Sequence, residues 1–338
     1  MKLFNPKIFY LFLIITGFSI GCANEVDIND DYKEISIAYG LLNSSEDQHF
    51  VKFTKAFQTD GNVYIAAGDA ANSQYEPDDI EMWFEEFNKN GNYIKTINLD
   101  TFMVTNKDTG NFYYPNQLVY ATPKGTILNP GSEYRFFAKV LSSGNIIESQ
   151  TNLVQDFSIN IPPTILKYLD FTGNYQSTVE WRSAENGKLY QLVIRYFYTD
   201  VPLSGPTTSH YVDWTFSQTR STTTQGGEKL KYQYTGATFY DILAGSIPPA
   251  ENGLIRYSDS LYYIFNVADE NFTVYMDVNA PSNSIVQERP AFSNISNGLG
   301  LFSSRYNKIR FFEGISARSM DSLITGSKTY QLGFKYRP

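Results

Sequence analysis

Residues that could carry chemistry are few and scattered along this sequence. Its two histidines, His49 and His210, each lie near the start of a predicted strand, in different halves of the chain, without a carboxylate or cysteine at metal-ligand spacing. We therefore expect surface or strand-end residues rather than a catalytic base or a metal site. His-Glu-x-x-His and a phosphate-binding glycine loop are absent from the sequence.

Paired carboxylates are the remaining catalytic class, because glycosidases need only two Asp or Glu side chains at a suitable distance. Glu81, Glu85 and Glu86 surround Trp83. On a strand, however, Glu81 and Glu85 share one face and Glu86 has the other, so we interpret all three as solvated charge on an outer face. The sequence thus predicts no catalytic residue, no metal site and no cofactor, and the protein is predicted not to be an enzyme.

The single cysteine, Cys22, follows a segment with the order of a signal peptide. Lys2 and Lys7 precede an uncharged apolar stretch at 8–15, and small residues lead to Gly21. The apolar stretch is shorter than the roughly 20 residues that a membrane-spanning helix needs. A site ending in Gly-Cys resembles the lipobox of bacterial lipoproteins, which implies a signal peptide at 1–21 and a diacylated Cys22 as the first mature residue. No second cysteine exists to form a disulfide.

An acidic segment follows the cysteine. Residues 22–33 contain Glu25, Asp27, Asp30 and Asp31 and few apolar side chains, so they cannot bury enough surface to fold and should form a solvated tether. The segment resembles the surface-export signal of Bacteroidota lipoproteins. The alternative is a charged linker that contains no export signal.

Composition limits the partners and favours β-structure. Removing residues 1–21 removes two lysines and no acid, which leaves 25 basic and 35 acidic side chains and a net charge of −10. Such a charge repels nucleic acid, so we expect no nucleic-acid partner. The remaining 317 residues exceed what one core usually serves, and the 26 Tyr and 25 Phe of the full sequence suit pleated sheets.

The first half, residues 34–160, predicts seven strands joined by short turns such as Asn90-Gly91 and Ser143-Gly144-Asn145. These strands are 34–42, 50–57, 80–87, 93–99, 117–121, 134–141 and 146–154. Before Tyr134, the segment 128–136 resembles the corner of a fibronectin type III domain, in which a tyrosine hydroxyl bonds back to the backbone. We therefore expect a seven-stranded fibronectin-like or immunoglobulin-like sandwich.

Ile161-Pro162-Pro163 marks the predicted boundary, because consecutive prolines lack amide donors. Residues 161–338 predict a larger β-sandwich-like domain with strands at 177–183, 189–198, 210–217, 229–234, 260–267, 308–313 and 329–336 and short helices at 238–245 and 319–326. Asn186-Gly187 predicts a hairpin turn. The strand that follows it is apolar on both faces, so we expect it to be covered on both sides. The overall fold class is all-β.

Aromatic side chains on strands supply the only ligand-binding candidates. A sugar-binding platform could use Trp214, Tyr211, Tyr262 and Tyr263. Aromatic residues on strands also form cores and cross-strand pairs, so the sequence leaves both interpretations open.

A glycine-rich segment near the C-terminus carries the one long family resemblance. In residues 292–302, Gly298 and Gly300 interrupt an apolar run and predict a tight turn or bulge that directs Leu301 and Phe302 into the core. The pattern of Asn294, Ile295, Asn297, Gly298, Gly300 and Phe302 resembles the signature of an uncharacterised lipoprotein family of Bacteroidota. Its genes often stand beside those of TonB-dependent outer-membrane receptors. Weaker likeness at 35–42, at Tyr134-Arg135 and around Trp181 extends the resemblance over most of the mature chain.

These observations predict a lipid-anchored outer-membrane protein, exposed at the cell surface, that acts as a non-enzymatic binding or assembly accessory of a TonB-dependent receptor. A carbohydrate-binding or carbohydrate-cleaving protein is one alternative, and an adhesin or structural module is another. An exposed row of parallel rings would favour sugars, and an extended apolar face would favour a protein partner.

Lipidation at Cys22 gives the first testable prediction. Cys22→Ser removes the acylated thiol, so the protein should leave the membrane fraction. Fractionation followed by a carbonate wash measures this. A variant that stays membrane-bound after the wash would contradict the lipoprotein assignment.

Overall fold

The computed structural model describes residues 33–105, 107–173, 176–281 and 291–338. Strands make up 44% of the chain and helices 15%, which confirms the all-β, sandwich-type fold. The predicted signal peptide, Cys22 and all but the last residue of the tether lie outside the described residues.

The strands β1 to β8 lie in the first half of the chain, and β9 spans the predicted boundary at 160/161. The strands are β1 Ser36–Asn43, β2 Phe50–Lys55, β3 Ile80–Phe87, β4 Tyr93–Asn98, β5 Asp100–Val104, β6 Gln117–Ala121, β7 Glu133–Val140, β8 Ile146–Asn152, β9 Ile159–Ile161, β10 Tyr168–Leu169, β11 Gln176–Arg182, β12 Leu189–Val201, β13 Thr208–Thr215, β14 Thr219–Arg220, β15 Lys229–Thr235, β16 Ile255–Ala268, β17 Leu299–Phe312, β18 Gly314–Ile315 and β19 Phe334–Lys335. The α-helices are α1 Val63–Ala67, α2 Ala70–Ser73, α3 Gly236–Ser246, α4 Glu270–Asn279 and α5 Ala317–Thr325, and 3₁₀ helices cover Pro77–Asp79 and Tyr330–Leu332.

One large sheet runs through both halves of the chain. Its strand order is β13-β12-β16-β17-β1-β2-β6-β5, with β14 beside β12 and β19 beside β16. The strand β17 pairs in parallel with β1 through its first residues and antiparallel with β16 through its last, with Arg305 at the changeover. This one long strand therefore joins the two ends of the sheet.

A four-stranded sheet, β4-β3-β7-β8, closes the first sandwich. Side chains alternate along β7, so every second residue from Tyr134 to Val140 is buried against the β1, β2 and β6 end of the large sheet. The turn at Gly91 has a positive φ of 77° and joins the paired strands β3 and β4, as predicted. The strand β5 is an eighth strand beside the seven predicted ones.

The second core lies under the other end of the large sheet. A three-stranded sheet, β15-β11-β9, and the helices α3 and α5 contribute to it. The indole of Trp181 is fully buried there and lies 5.0 Å from the ring of Tyr232 and 5.1 Å from that of Phe265. Both predicted helices are confirmed, as α3 and α5.

The glycine-rich segment supplies part of the first core. Gly300 has a φ of 122°, and a Cβ there would lie 1.9 Å from the carbonyl oxygen of Ala38, so only glycine lets β17 approach β1. Asn294 bonds the backbone of Phe302 twice, accepting its N–H at 2.9 Å and donating to its C=O at 2.7 Å. The Asn297 amide donates to Ile146 C=O at 2.9 Å. These bonds explain why the asparagines and glycines stand at their fixed spacing.

Phe302 then packs its ring 5.5 Å from Phe84 and 5.3 Å from Phe136, as the turn at the glycines predicted. Its neighbour Leu301 is buried on the opposite face of the sheet. The division at 160/161 stays a prediction; residues 295 and 302 belong to the core of the first sandwich.

Several local expectations were wrong. Glu86 is buried and accepts a hydrogen bond from Ser132 Oγ at 2.8 Å, because alternation along β3 turns it inward. His49 lies at a strand end, directly before β2, as expected, but it is buried rather than on the surface, with its Nε2 3.2 Å from Thr126 O. Asn186 adopts a φ of 63°, yet it does not form a hairpin, because β11 and β12 belong to different sheets. Residues 329–336 form a 3₁₀ turn and a two-residue strand.

The predicted tyrosine corner is confirmed. The hydroxyl oxygen of fully buried Tyr134 accepts the N–H of Asn129 at 2.7 Å. Burial raises the pKa of this phenol, since a charged phenolate would be desolvated.

A buried carboxylate joins three elements beside that sandwich. Asp269 caps the N-terminus of α4 by accepting Phe272 N–H at 2.8 Å. It also accepts Ser304 N–H at 2.9 Å, the Thr151 hydroxyl at 3.2 Å and the Ser303 hydroxyl. Burial raises its pKa, and the four donors lower it in part.

Tyr134→Phe should lower the free energy of unfolding by about 1 kcal/mol, because it leaves the Asn129 N–H without its acceptor. Urea denaturation measures the change. Tyr93→Phe is the control, since that hydroxyl bonds Thr96 on the surface. Equal urea midpoints of unfolding for both variants would show that the hydrogen bond between Asn129 and Tyr134 does not stabilise the protein.

Asp269→Ala should cost roughly 3 kcal/mol of stability, because it leaves several buried donors and the N-terminus of α4 without their hydrogen-bond acceptor. The same denaturation measures it. Asp277→Ala, on the same helix, removes only an exposed pair with Arg220 and should cost less than about 1 kcal/mol. Similar losses in the two variants would show that the Asp269 contacts do not hold the elements together.

Candidate functional site

The outer face of the large sheet, opposite the cores, carries a row of aromatic side chains across four neighbouring strands. Pairing sets Phe197 of β12 beside Tyr211 of β13 and Tyr262 of β16 beside Phe311 of β17. Successive side chains of a strand alternate between faces, so these rings point away from the core together. We call Tyr211, Phe197, Tyr262 and Phe311 the outer aromatic row.

The rings of the row contact one another in sequence. The centroid distances are 5.9 Å for Phe197 and Tyr211, 5.0 Å for Phe197 and Tyr262, and 5.6 Å for Tyr262 and Phe311. Neighbouring ring planes are inclined by 51°, 61° and 62°. The two inner rings are half-buried, while Tyr211 and Phe311 at the ends remain 55% and 56% exposed.

A second, aliphatic row lies next to the aromatic one. Val193, Ile264 and Ile309 face one another across β12, β16 and β17. Ile309 is 60% exposed. The two rows adjoin on β16 and β17, where they form a contiguous apolar surface, while Arg195 separates them on β12. Soluble proteins seldom leave such a surface exposed without a function.

Arg195 and Asp213 form a charged pair at the Tyr211 end of this surface. The guanidinium Nε and Nη2 donate to the two carboxylate oxygens at 2.7 and 2.8 Å. The guanidinium also lies 4.1 Å from the centroid of the Tyr211 ring. The two hydrogen bonds to Asp213 hold the guanidinium over the ring, and they raise the pKa of Arg195.

The four aromatic candidates from the sequence divide between the two faces of the sheet. Tyr211 and Tyr262 belong to the outer aromatic row. Trp214 points inward instead, 4.7 Å from the Phe216 ring and 5.2 Å from that of Tyr234. Tyr263 also points inward and is fully buried, so the four residues form no common platform.

Sequence reasoning missed Phe197 and Phe311. Phe197 lies on the strand that was expected to be covered on both sides, but that expectation was wrong. Its inward residues, such as Tyr196, are buried, whereas Val193, Arg195 and Phe197 on the other face keep some solvent exposure. Gln191 and Arg195 stand among the apolar residues of that face. A strand covered on both sides would be apolar there, so these polar residues were the sequence signal that the face is exposed.

The remaining catalytic candidates do not come together. His210 is exposed on β13, 3.8 Å from Asp200, and is remote in the fold from buried His49. Over the ranges that the structure describes, no three His, Cys, Asp or Glu side chains are grouped as metal ligands.

A polar cleft of about 790 Å³ lies between β7, β8 and the N-terminus of α4. Its lining is rich in amide and charged side chains, among them Arg135, Glu148, Gln150, Asn152, Asn186 and Asn271. Phe137 also lines the cleft, and its ring stacks 5.3 Å from that of Trp83. Amides beside an aromatic ring are groups that recognise polar, hydroxyl-rich ligands.

Within the described ranges, the helices are all too short or too polar to cross a bilayer. Comparison with protein-family models found no match. Comparison with curated proteins found none either.

Proposed function

We propose that this protein is a lipid-anchored outer-membrane protein without catalytic activity, which binds a partner protein through the outer aromatic row and the adjoining aliphatic row. The main observation that supports this proposal is the contiguous apolar surface, with Tyr211 and Phe311 exposed at its ends. Interfaces are enriched in Tyr, Phe and Arg, and such residues act as anchors. The surface contains Tyr, Phe and a fixed arginine.

The shape of the row favours a protein over a sugar. Sugar rings stack on flat, accessible aromatic faces, whereas neighbouring rings here are inclined by 51° or more and partly cover one another. A surface spread over four neighbouring strands of one sheet matches the apolar core of a protein interface. Carbohydrate binding is the second candidate, and the polar cleft lined by Asn152 and Asn271 is the observation that favours it.

The partner that we propose is a TonB-dependent receptor in the same membrane. Two sequence features support this choice: the lipobox at Cys22, which would hold the protein at the membrane, and the resemblance of residues 292–302 to lipoproteins encoded beside such receptors. An adhesin would use the same surface on a partner outside its own cell.

The test is a gentle-detergent pull-down of the tagged, lipidated protein from its own outer membrane. The wild type should recover a receptor stoichiometrically, and the double variant Tyr211→Ser/Phe311→Ser should recover at least about tenfold less, since loss of two anchoring aromatic side chains costs this much or more. Quantitative mass spectrometry measures recovery.

Tyr93→Ser is the matched control, because Tyr93 is 56% exposed on β4 of the other sheet. It should recover as much partner as the wild type. Equal recovery by the double variant would exclude the apolar surface as the contact. Recovery of the lipoprotein alone would contradict the accessory role and favour a glycan screen of the polar cleft.

A further inference from the structure

A separate pocket of about 560 Å³ opens on the outer side of β1 and β2, at the end of the large sheet remote from the outer aromatic row. The segment that contains α1 and the residues just before β6 form its other walls. Its apolar lining includes Ile37, Tyr39, Phe57, Tyr64, Phe112 and Leu118. Tyr64 and Phe112 are 66% and 54% exposed, so apolar surface continues out of the pocket.

The charged lining of this pocket is of one sign. Lys52, Lys55 and Lys107 line it, and among the residues that the structure describes no Asp or Glu does. This is unexpected in a chain with 35 acidic and 27 basic side chains. Within the described ranges, none of the three ammonium groups has a carboxylate within salt-bridge distance.

The lysines instead contact neutral groups. Lys107 Nζ donates to the carbonyl of Tyr113 at 2.9 Å, and Lys55 Nζ lies 5.4 Å from the centroid of the Tyr75 ring. Burial lowers the pKa of Lys52, and the neighbouring charge of Lys107 lowers it further. The two cations therefore repel each other beside an apolar wall, and an anion between them would remove that repulsion.

We propose that this pocket binds an amphipathic anion, with its apolar body against Ile37, Tyr64 and Phe112 and its carboxylate or phosphate between Lys52 and Lys107. Apolar walls with a few convergent charged groups are the usual composition of small-molecule sites, and the volume suits one ligand of modest size. The anion is either a free organic acid or a membrane lipid. The proposal is independent of the protein contact proposed above, because the residues of the two surfaces do not overlap.

Calorimetric titration of the full chain in its unlipidated Cys22→Ser form, without detergent, tests the binding. Dodecanoate is the probe, and its uncharged methyl ester is the comparison. Dodecanoate should bind the protein, and Lys52→Gln and Lys107→Gln should each weaken that binding about tenfold, since each removes a charge-assisted hydrogen bond. The ester should bind more weakly and equally to all forms.

Lys124→Gln is the matched control, because Lys124 is exposed outside the pocket. Unchanged thermal unfolding would show that the lysine variants are folded. No dodecanoate binding, together with no lysine-dependent vesicle binding, would overturn the proposal. So would binding that Lys52→Gln and Lys107→Gln weaken no more than Lys124→Gln.

Co-sedimentation with vesicles distinguishes the two sources of the anion. Phosphatidylcholine vesicles with and without phosphatidylglycerol are the probes. Binding that needs phosphatidylglycerol and is lost in Lys52→Gln and Lys107→Gln would identify a membrane lipid. Dodecanoate binding without vesicle binding would identify a free acid.

Discussion

The carboxylate of Asp269 is the contact on which the arrangement of the two cores depends. It is buried where β8, β17 and α4 meet, and it accepts hydrogen bonds from all three. A buried carboxylate without partners would cost several kcal/mol, but each donor here would also be unsatisfied without it. The Asp269 carboxylate and its donors are therefore satisfied only when β8, β17 and α4 are in this arrangement. Ser304 extends it, because its hydroxyl accepts Val154 N–H at 2.7 Å.

This junction lies where β17 changes its partner. Residues before Arg305 pair with β1, and residues after it pair with β16. The helix α4 packs on β17, and Leu301, on the outer face, is 2% exposed. The polar contact at Asp269 thus stabilises the junction within a single continuous sheet, and that sheet presents the apolar pocket beside β1 and the outer aromatic row across β13, β12, β16 and β17.

Local sequence pattern predicted strands well where the strand and its turn are neighbours in the chain. The bounds of β3 agree with the prediction, because its alternating side chains and the adjacent turn at Gly91 specify it. The bounds of β6 also agree. The start of β17 was missed, since its pairing with β1 depends on residues more than 250 positions away. The same limit applied to Asn186, whose turn is local but whose flanking strands join different sheets.

The candidate site was predicted only in part for a related reason. Tyr211 and Tyr262 were identified by residue type, yet type alone could not separate them from inward-facing Trp214 and Tyr263. The face of each ring is set by strand register, and the neighbours Phe197 and Phe311 become visible only when four strands are aligned. Glu86 and His49 show the converse, as polar residues whose burial depends on partners distant in sequence, such as Ser132 and Thr126.

Rigidity is the physical reason why a row built on strands suits binding. Each ring of the outer aromatic row is held by its neighbour, and the Arg195 guanidinium is held by Asp213 over Tyr211. Little side-chain freedom remains to be lost on association, so more of the buried apolar area contributes to affinity. The pocket beside β1 differs, because the segment that carries α1 forms one wall and only the sheet side is built from long strands. A small flexible ligand can bind against the wall formed by the α1 segment. A protein partner requires the more rigid sheet face that carries the outer aromatic row.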